Sequence, residues 1–182
     1  MPVTCSVFIA TSLDGFIARK NGELDWLPGS DGEAGGEDYG FNGFFASVDT
    51  LVMGRKTYEL ALTFKEWPYQ GKNVIVLSSR FPKEPKILSE GVKGTSSSAT
   101  ELIEILASSG SEHVYVDGGK TIQGFLRAGL IQDMTITRIP VLIGEGIPLF
   151  GPSAHDIKLQ HLSTRSYESG FVQSKYKVAN AE

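Results

Sequence analysis

The chain has one cysteine, Cys5, in 182 residues. That excludes a disulfide framework and a thiolate metal cluster, and leaves Cys5 as a small hydrophobe in the first strand. Histidine is also scarce: His113, His155 and His161 show no ligand-like spacing, so no metal site is expected. No serine or cysteine stands in a nucleophile-elbow context, which leaves covalent catalysis without support. Positive charge is not in excess; the net charge of −4 gives no electrostatic footprint for nucleic acid or an anionic membrane. Met-Pro-Val-Thr-Cys at the start has neither a basic region nor a long apolar run. Neither secretion nor membrane insertion is signalled, and a cytoplasmic location is the expectation. Repeats, linkers and low-complexity tracts are missing too. With 41% apolar and 21% charged residues, the expectation is one domain over 1–182 with a sizeable core.

Glycine, by contrast, is plentiful at 21 residues, which fits tight turns around ligands. The most informative turn lies in Glu112–Phe125. His113 to Val116 reads as a short buried strand, and Gly118-Gly119 permits a turn that side chains would block. From Lys120 onward, Ile122, Phe125 and Leu126 have helical spacing. Strand, glycine pair and helix start aim free backbone N–H groups and a helix dipole at one spot, which suits a phosphate, and Lys120 adds a positive charge. The alternative is an ordinary βα turn with glycine at its tightest point.

Along the chain, Val3–Thr11 reads as a buried strand that ends in the Asp14-Gly15 turn. Residues 19–37 form a long polar loop carrying Trp26, which needs a cover of protein or of a flat ligand ring. Glu37–Ser47 has a helical stripe, with Asp38 near its start. Strands are expected at 50–53, 73–77, 87–88, 113–116 and 133–139, and helices at 58–62 and 99–107, the latter capped by Ser98 or Thr100. The last stretch, 171–178, alternates as an edge strand does. This order predicts an α/β fold with a mainly parallel central sheet, helices on both faces and antiparallel C-terminal strands.

Two further strand ends carry phosphate-type groups. After Val52-Met53 come Gly54, Arg55, Lys56 and Thr57: Thr57 can cap a helix or donate to a phosphate, and the two cations can pair with one. After Val76-Leu77 come Ser78, Ser79 and Arg80. Where NAD-specific folds place an acid for the ribose hydroxyls, this chain offers hydroxyls and an arginine, which favours a 2′-phosphate. Three such ends fit one dinucleotide, NADPH, lying across the carboxyl edge of a sheet.

The same residues carry a resemblance. Met53-Gly54-Arg55-Lys56-Thr57-Tyr58 resembles the cofactor motif of dihydrofolate reductases. Ser12-Leu13-Asp14-Gly15-Phe16-Ile17-Ala18 is similar to the opening of the C-terminal reductase domain of the bifunctional riboflavin-biosynthesis deaminase-reductase. So are Gly129–Asp133 and Ile139–Phe150, and the likeness spans roughly 5–178 with no deaminase domain. It implies a three-layer dihydrofolate-reductase-like fold and an NADPH-dependent reductase of a pyrimidine- or pterin-like heterocycle. Ala10 and Ile17 then fall where the nicotinamide is lined, and Trp26 where riboflavin reductases place a cofactor-contacting Trp. Gly54, Arg55, Lys56 and Thr57, with Ser78, Ser79 and Arg80, match the adenosine and phosphate contacts. Gly118, Gly119, Lys120, Thr121 and Ile122 match the pyrophosphate loop, which in folate reductases carries a cis Gly-Gly bond, expected here between Gly118 and Gly119. Asp38 stands at the spacing of the folate-enzyme acid that supports protonation; its other reading is a helix N-terminal charge. Tyr39 and Phe41 beside it can line a ring pocket for the substrate, or simply be core. Because riboflavin reductases commonly pair, a homodimer is expected.

The departures concern the substrate. Folate enzymes hold the glutamate tail with an Arg before the third strand, where this chain offers Lys72, a poorer bidentate partner. Riboflavin reductases follow the second strand with Asp-Pro-x-Leu and an Arg, where this chain has Glu59–Phe64. Three functions stay open: a reductase of the riboflavin-pathway type, dihydrofolate reductase activity, and a non-catalytic nucleotide- or flavin-binding protein.

Overall fold

A computed structural model describes residues 2–29 and 36–179; residues 30–35 of the long loop lie outside the described residues. The elements run β1 (Thr4–Ser12), β2 (Phe16–Ala18), α1 (Phe41–Ser47), β3 (Thr50–Gly54), α2 (Arg55–Ala61) and β4 (Asn73–Leu77). They continue with β5 (Lys86–Ser89), β6 (Val92–Thr95), α3 (Ala99–Ser108), β7 (His113–Asp117) and α4 (Gly119–Arg127). The last are β8 (Asp133–Ile139), β9 (Ile147–Pro148), β10 (Leu159–Ser166) and β11 (Val172–Val178).

Nine strands form one sheet in the order β10-β11-β8-β1-β7-β3-β4-β6-β5. The six from β8 to β6 are parallel, and antiparallel pairing is confined to β5 at one end and β11 and β10 at the other. The expected α/β fold is thus present, with helices on both faces. Apolar residues of β3, β4 and β7 are buried on both faces, as strands inside a helix-covered parallel sheet must be. On one face Leu102 and Leu106 of α3 and Ile122 and Phe125 of α4 join Val7, Val52, Val116 and Met134. On the other, Phe41, Phe44 and Phe45 of α1 and Tyr58 of α2 pack over Leu51, Met53, Val76 and Tyr115. Ser98 caps α3 in a full capping box with Glu101, choosing between the two expected caps.

Several boundaries differ from expectation. The helix expected over 37–47 begins only at Phe41, because Tyr39 (φ 54) and Gly40 (φ 81) are both left-handed. The second helix starts at Arg55 rather than Tyr58 and is capped by Gly54, so Thr57 lies inside its first turn and caps nothing. The outer edge belongs to β10; β11 is sandwiched between β10 and β8.

The parallel arrangement brings the ends of β1, β7, β3 and β4 to one edge. Beside that edge the β2–β9 ribbon closes over the start of α4. Asp14 holds it by accepting from the N–H of Ile143 (3.3 Å) and of Gly144 (2.8 Å), so Asp14 is a turn residue.

Candidate active site

Two βα turns meet at the carboxyl edge of the sheet. β3 passes through Gly54 into α2, and the neighbouring β7 passes through Asp117 and Gly118 into α4, with Met53 opposite Asp117 in register. The turns touch through missing side chains. A Cβ on Gly118 would stand 2.8 Å from Thr57 Oγ1, and one on Gly54 would stand 3.1 Å from Thr121 Oγ1. Two glycines and two hydroxyls therefore form a floor that side chains at those glycines would fill. The first amides of α4, Gly119, Lys120 and Thr121, precede the bond from Ile122 N–H to the Gly118 carbonyl, so the helix leaves them without intrahelical acceptors. Lys56 and Lys120, next in sequence to Thr57 and Thr121, are exposed, as are Ser79 and Arg80 in the turn after β4. Ser78 Oγ accepts from the Arg80 N–H (3.3 Å), which turns the chain after β4. Arg55 pairs with Glu59 at 2.6 Å, a half-exposed i,i+4 bridge that a phosphate can replace.

The Gly118–Gly119 peptide is trans, contrary to the cis bond expected from the resemblance. Gly118 makes the turn instead through its own dihedrals, φ 94 and ψ 139, which only glycine adopts readily. Gly119 is covered by protein: its Cβ would meet Pro148 O at 2.9 Å and Ile147 and Ile17 side chains at 3.3 Å. Gln123 of α4 donates to the Pro148 and Leu149 carbonyls and fastens this cover. Ile17 thus packs on the glycine turn. Ile122, expected at the cofactor, has its side chain fully buried in the core at 0% exposure.

Asp38 spends both carboxylate oxygens on its own turn. Its two carboxylate oxygens accept the N–H groups of Gly40 and Asn42, each at 3.1 Å, in the turn before α1. These bonds hold its carboxyl below the usual range. Phe41 belongs to an aromatic ladder, edge-on to Phe8 at 5.6 Å and stacked with Phe45 at 5.7 Å, and is half-buried rather than sealed in the core.

A carboxyl not singled out from the sequence stands in the floor itself. Burial raises Asp117 from 3.8 to about 6, against the Gly118 N–H, which donates to its Oδ1 at 2.8 Å and favours the charge. Burial, and after it the field of Asp117, raises the phenols of Tyr69 and Tyr115, so these rings share its surroundings. The readable signal was an acid directly before Gly-Gly at the end of a buried strand.

Ala10 and Trp26 lie in a third apolar cluster with Ile139, Phe171 and Tyr39. Protein covers Trp26 to 9% exposure, yet among the described residues its Nε1 has no hydrogen-bond partner. Lys72 is committed elsewhere: Nζ donates to the Val48 carbonyl at 2.6 Å and lies over the Phe45 ring. Two hollows, of about 610 and 430 Å³, lie along α3 and beside α4, and neither includes these residues. Among the described residues no helix is long and apolar enough to cross a membrane.

Comparison with known proteins agrees with this fold. YwjB of Bacillus subtilis strain 168, itself uncharacterized, is 32% identical over 163 residues, covering 88% of this chain and 90% of its own. A crystal structure from Shewanella sp. PV-4, provisionally described as a riboflavin biosynthesis protein, superposes with TM-score 0.87 at 38% identity, over 98% of this chain and all of that one. Acinetobacter baumannii RibD shares the fold at TM-score 0.73 and 18% identity; the match covers 98% of this chain and 58% of that longer one. Residues 3–173 match the RibD C-terminal domain family, and the chain belongs to it.

Proposed function

We propose that the protein is an NADPH-dependent reductase that delivers hydride to a flat, nitrogen-rich heterocycle or to an imine or carbonyl attached to one, resembling the pyrimidine reductase of riboflavin biosynthesis. The observation that carries this reading is the floor shared by Gly54, Thr57, Gly118 and Thr121, where two βα turns approach so closely that both need glycine and the first amides of α4 have no intrahelical acceptor. The dinucleotide fits this donor set, with Lys56 and Lys120 beside the floor and Ser78, Ser79 and Arg80 supplying a 2′-phosphate contact. When bound, it supplies the hydride. The chain's share is orientation, exclusion of water and a proton. Asp117, with a carboxyl near pH 6 in the floor, is the group suited to deliver that proton to the substrate nitrogen or oxygen as hydride reaches the adjacent carbon.

In this reading the substrate ring packs near α1, where Phe41, Phe45 and Tyr69 are half-buried. The engagement of Lys72 with Val48 and Phe45 removes the cation that a folate tail would use, which favours a pyrimidine over dihydrofolate. A homodimer is part of the proposal, supported by β10, whose eight residues are all exposed at an open sheet edge; a monomer in sedimentation at micromolar concentration would remove it. The reaction is tested by following NADPH oxidation with aminouracils, pterins and dihydrofolate. Turnover with a pyrimidine supports the reading, turnover with dihydrofolate alone redirects it, and tight binding without turnover of any of them indicates a binding protein.

A further inference from the structure

Four residues remote in sequence meet at the edge of the sheet opposite the glycine floor, where β7 and β8 begin. His113 Nε2 lies 2.8 Å from Ser6 Oγ, and Ser6 Oγ lies 2.9 Å from Asp133 Oδ2. Across the ring, Nδ1 lies 3.1 Å from the carbonyl of Ser47, the last residue of α1, and 3.4 Å from its hydroxyl. Ser6 is buried at 0% exposure and His113 is half-buried.

Counting hydrogens assigns the ring. A carbonyl only accepts, and the Ser47 hydroxyl donates its hydrogen to the Phe44 carbonyl at 2.7 Å, so Nδ1 must carry a hydrogen. Ser6 has one hydrogen and two neighbours that call for it, Nε2 and the Asp133 carboxylate. With a neutral ring and an ionised Asp133, one of those contacts brings two lone pairs together. One added proton resolves the conflict: the ring donates from both nitrogens, and Ser6 accepts from Nε2 and donates to Asp133. Imidazole is the more basic of the two groups, by roughly 2–3 units in model peptides, so the proton rests on the ring. An imidazolium also suits its place, because the last carbonyls of a helix lack partners and attract a cation.

The other charged groups nearby do not replace Asp133. The Asp49 carboxylate accepts from the Thr50 and Ser111 hydroxyls and from the N–H groups of Glu112 and His113, not from the ring. Glu112 is exposed, and Lys177 of β11 lies opposite Asp133 in register. The Cys5 thiol, pushed up to about 12 by burial and then by Asp133, keeps its own proton.

We infer that Asp133, Ser6 and His113 take up one proton as a unit and form a pH-sensitive clasp that ties the end of α1 to three strands of the sheet. Loss of the proton breaks one of the Ser6 bonds and loosens α1, whose Phe44 meets the His113 ring edge-on at 6.0 Å. The clasp lies away from the proposed cofactor site and does not rest on the reductase reading.

The test is nitrogen NMR of the full chain with labelled histidine at about pH 7.5, roughly one unit above the ordinary histidine value. His155 and His161, both exposed, serve as references, and His113→Gln assigns the signal. In the wild type, His113 should carry hydrogen on both ring nitrogens. In Asp133→Asn the new amide can donate to Ser6, which then donates to Nε2, so a neutral ring satisfies every contact and His113 should show a bare Nε2. Ser6→Ala should also leave a bare ring nitrogen, which covers failure of Asp133→Asn to fold. Urea titration of the wild type and Asp133→Asn gives a second readout, in which the contribution of Asp117 is common to both and cancels. The folded wild type binds the proton more tightly than the unfolded chain, so its stability should fall relative to Asp133→Asn as pH rises from about 6 to 9, by about tenfold in the unfolding constant. A bare ring nitrogen in the wild type at about pH 7.5, an imidazolium that persists in Asp133→Asn, or a stability difference that does not change with pH would overturn the inference.

Discussion

Gly118 and Thr57 approach so closely that a single added carbon on Gly118 would stand 2.8 Å from the Thr57 hydroxyl. The contact joins two turns that are remote in sequence. Gly118→Ala should therefore destabilise the fold by about 2 kcal/mol or more, since a left-handed residue and a clash act together. Thr57→Ala should recover part of this loss in the double variant, a non-additivity that urea titration of the four proteins would reveal. Simple additivity would show that the turns do not touch.

Gly119→Ala separates fold from cofactor in a different way. The new methyl would face the Pro148 carbonyl at 2.9 Å, under the β2–β9 ribbon, and not the floor. Overpacking of this kind costs about 1–3 kcal/mol. A lower unfolding midpoint with near-normal NADPH affinity in the folded fraction is expected; lost affinity at unchanged stability would place the phosphate at Gly119 instead.

Asp117 makes stability depend on pH. Its carboxyl rises from 3.8 to about 6 on folding, so the folded state binds the proton more tightly than the unfolded chain. Stability attributable to this group is highest below pH 4, falls as pH rises through 4–6, and stays low above. The full penalty is roughly 3 kcal/mol from the two values, an upper bound for a carboxyl that is not wholly sealed. Asp117→Asn should accordingly raise the unfolding free energy at pH 8 and do little at pH 4, while lowering turnover. A destabilised variant at pH 8 would mean that the carboxylate is stabilised in a way the Gly118 N–H alone does not explain.

Much of the fold was legible because burial leaves a pattern. β3, β4 and β7 are buried on both faces, so their sequences are unbroken apolar runs. β10 is exposed along its whole length, and nothing in Leu159–Ser166 had to alternate. β6 carries one large apolar residue, and its Gly94 lies under the Phe81 ring, where a Cβ would stand 2.8 Å from that ring; tertiary packing, not local pattern, makes it a strand. At the site, the glycine turns were readable because backbone geometry demands glycine there. Asp38 looked like a helix residue because Tyr39 continued the apolar period, whereas the left-handed Tyr39 is imposed by Phe171 and Gln173, far away in sequence. For Ile122 the helical spacing with Phe125 and Leu126 already indicated the core, and that signal outweighs the position implied by the resemblance.

The central claim, a dinucleotide site built for a 2′-phosphate, is tested most directly by titrating the protein with NADPH and NADH under identical salt. In the proposed site Arg80, with Ser78 and Ser79, takes the place of the acid that would favour NADH, and each charge-assisted bond to the phosphate is worth about 1.5–3 kcal/mol. The account predicts that NADPH binds at least tenfold tighter and that Arg80→Ala removes most of the difference. Equal dissociation constants for the two cofactors, or no binding of either, would contradict it.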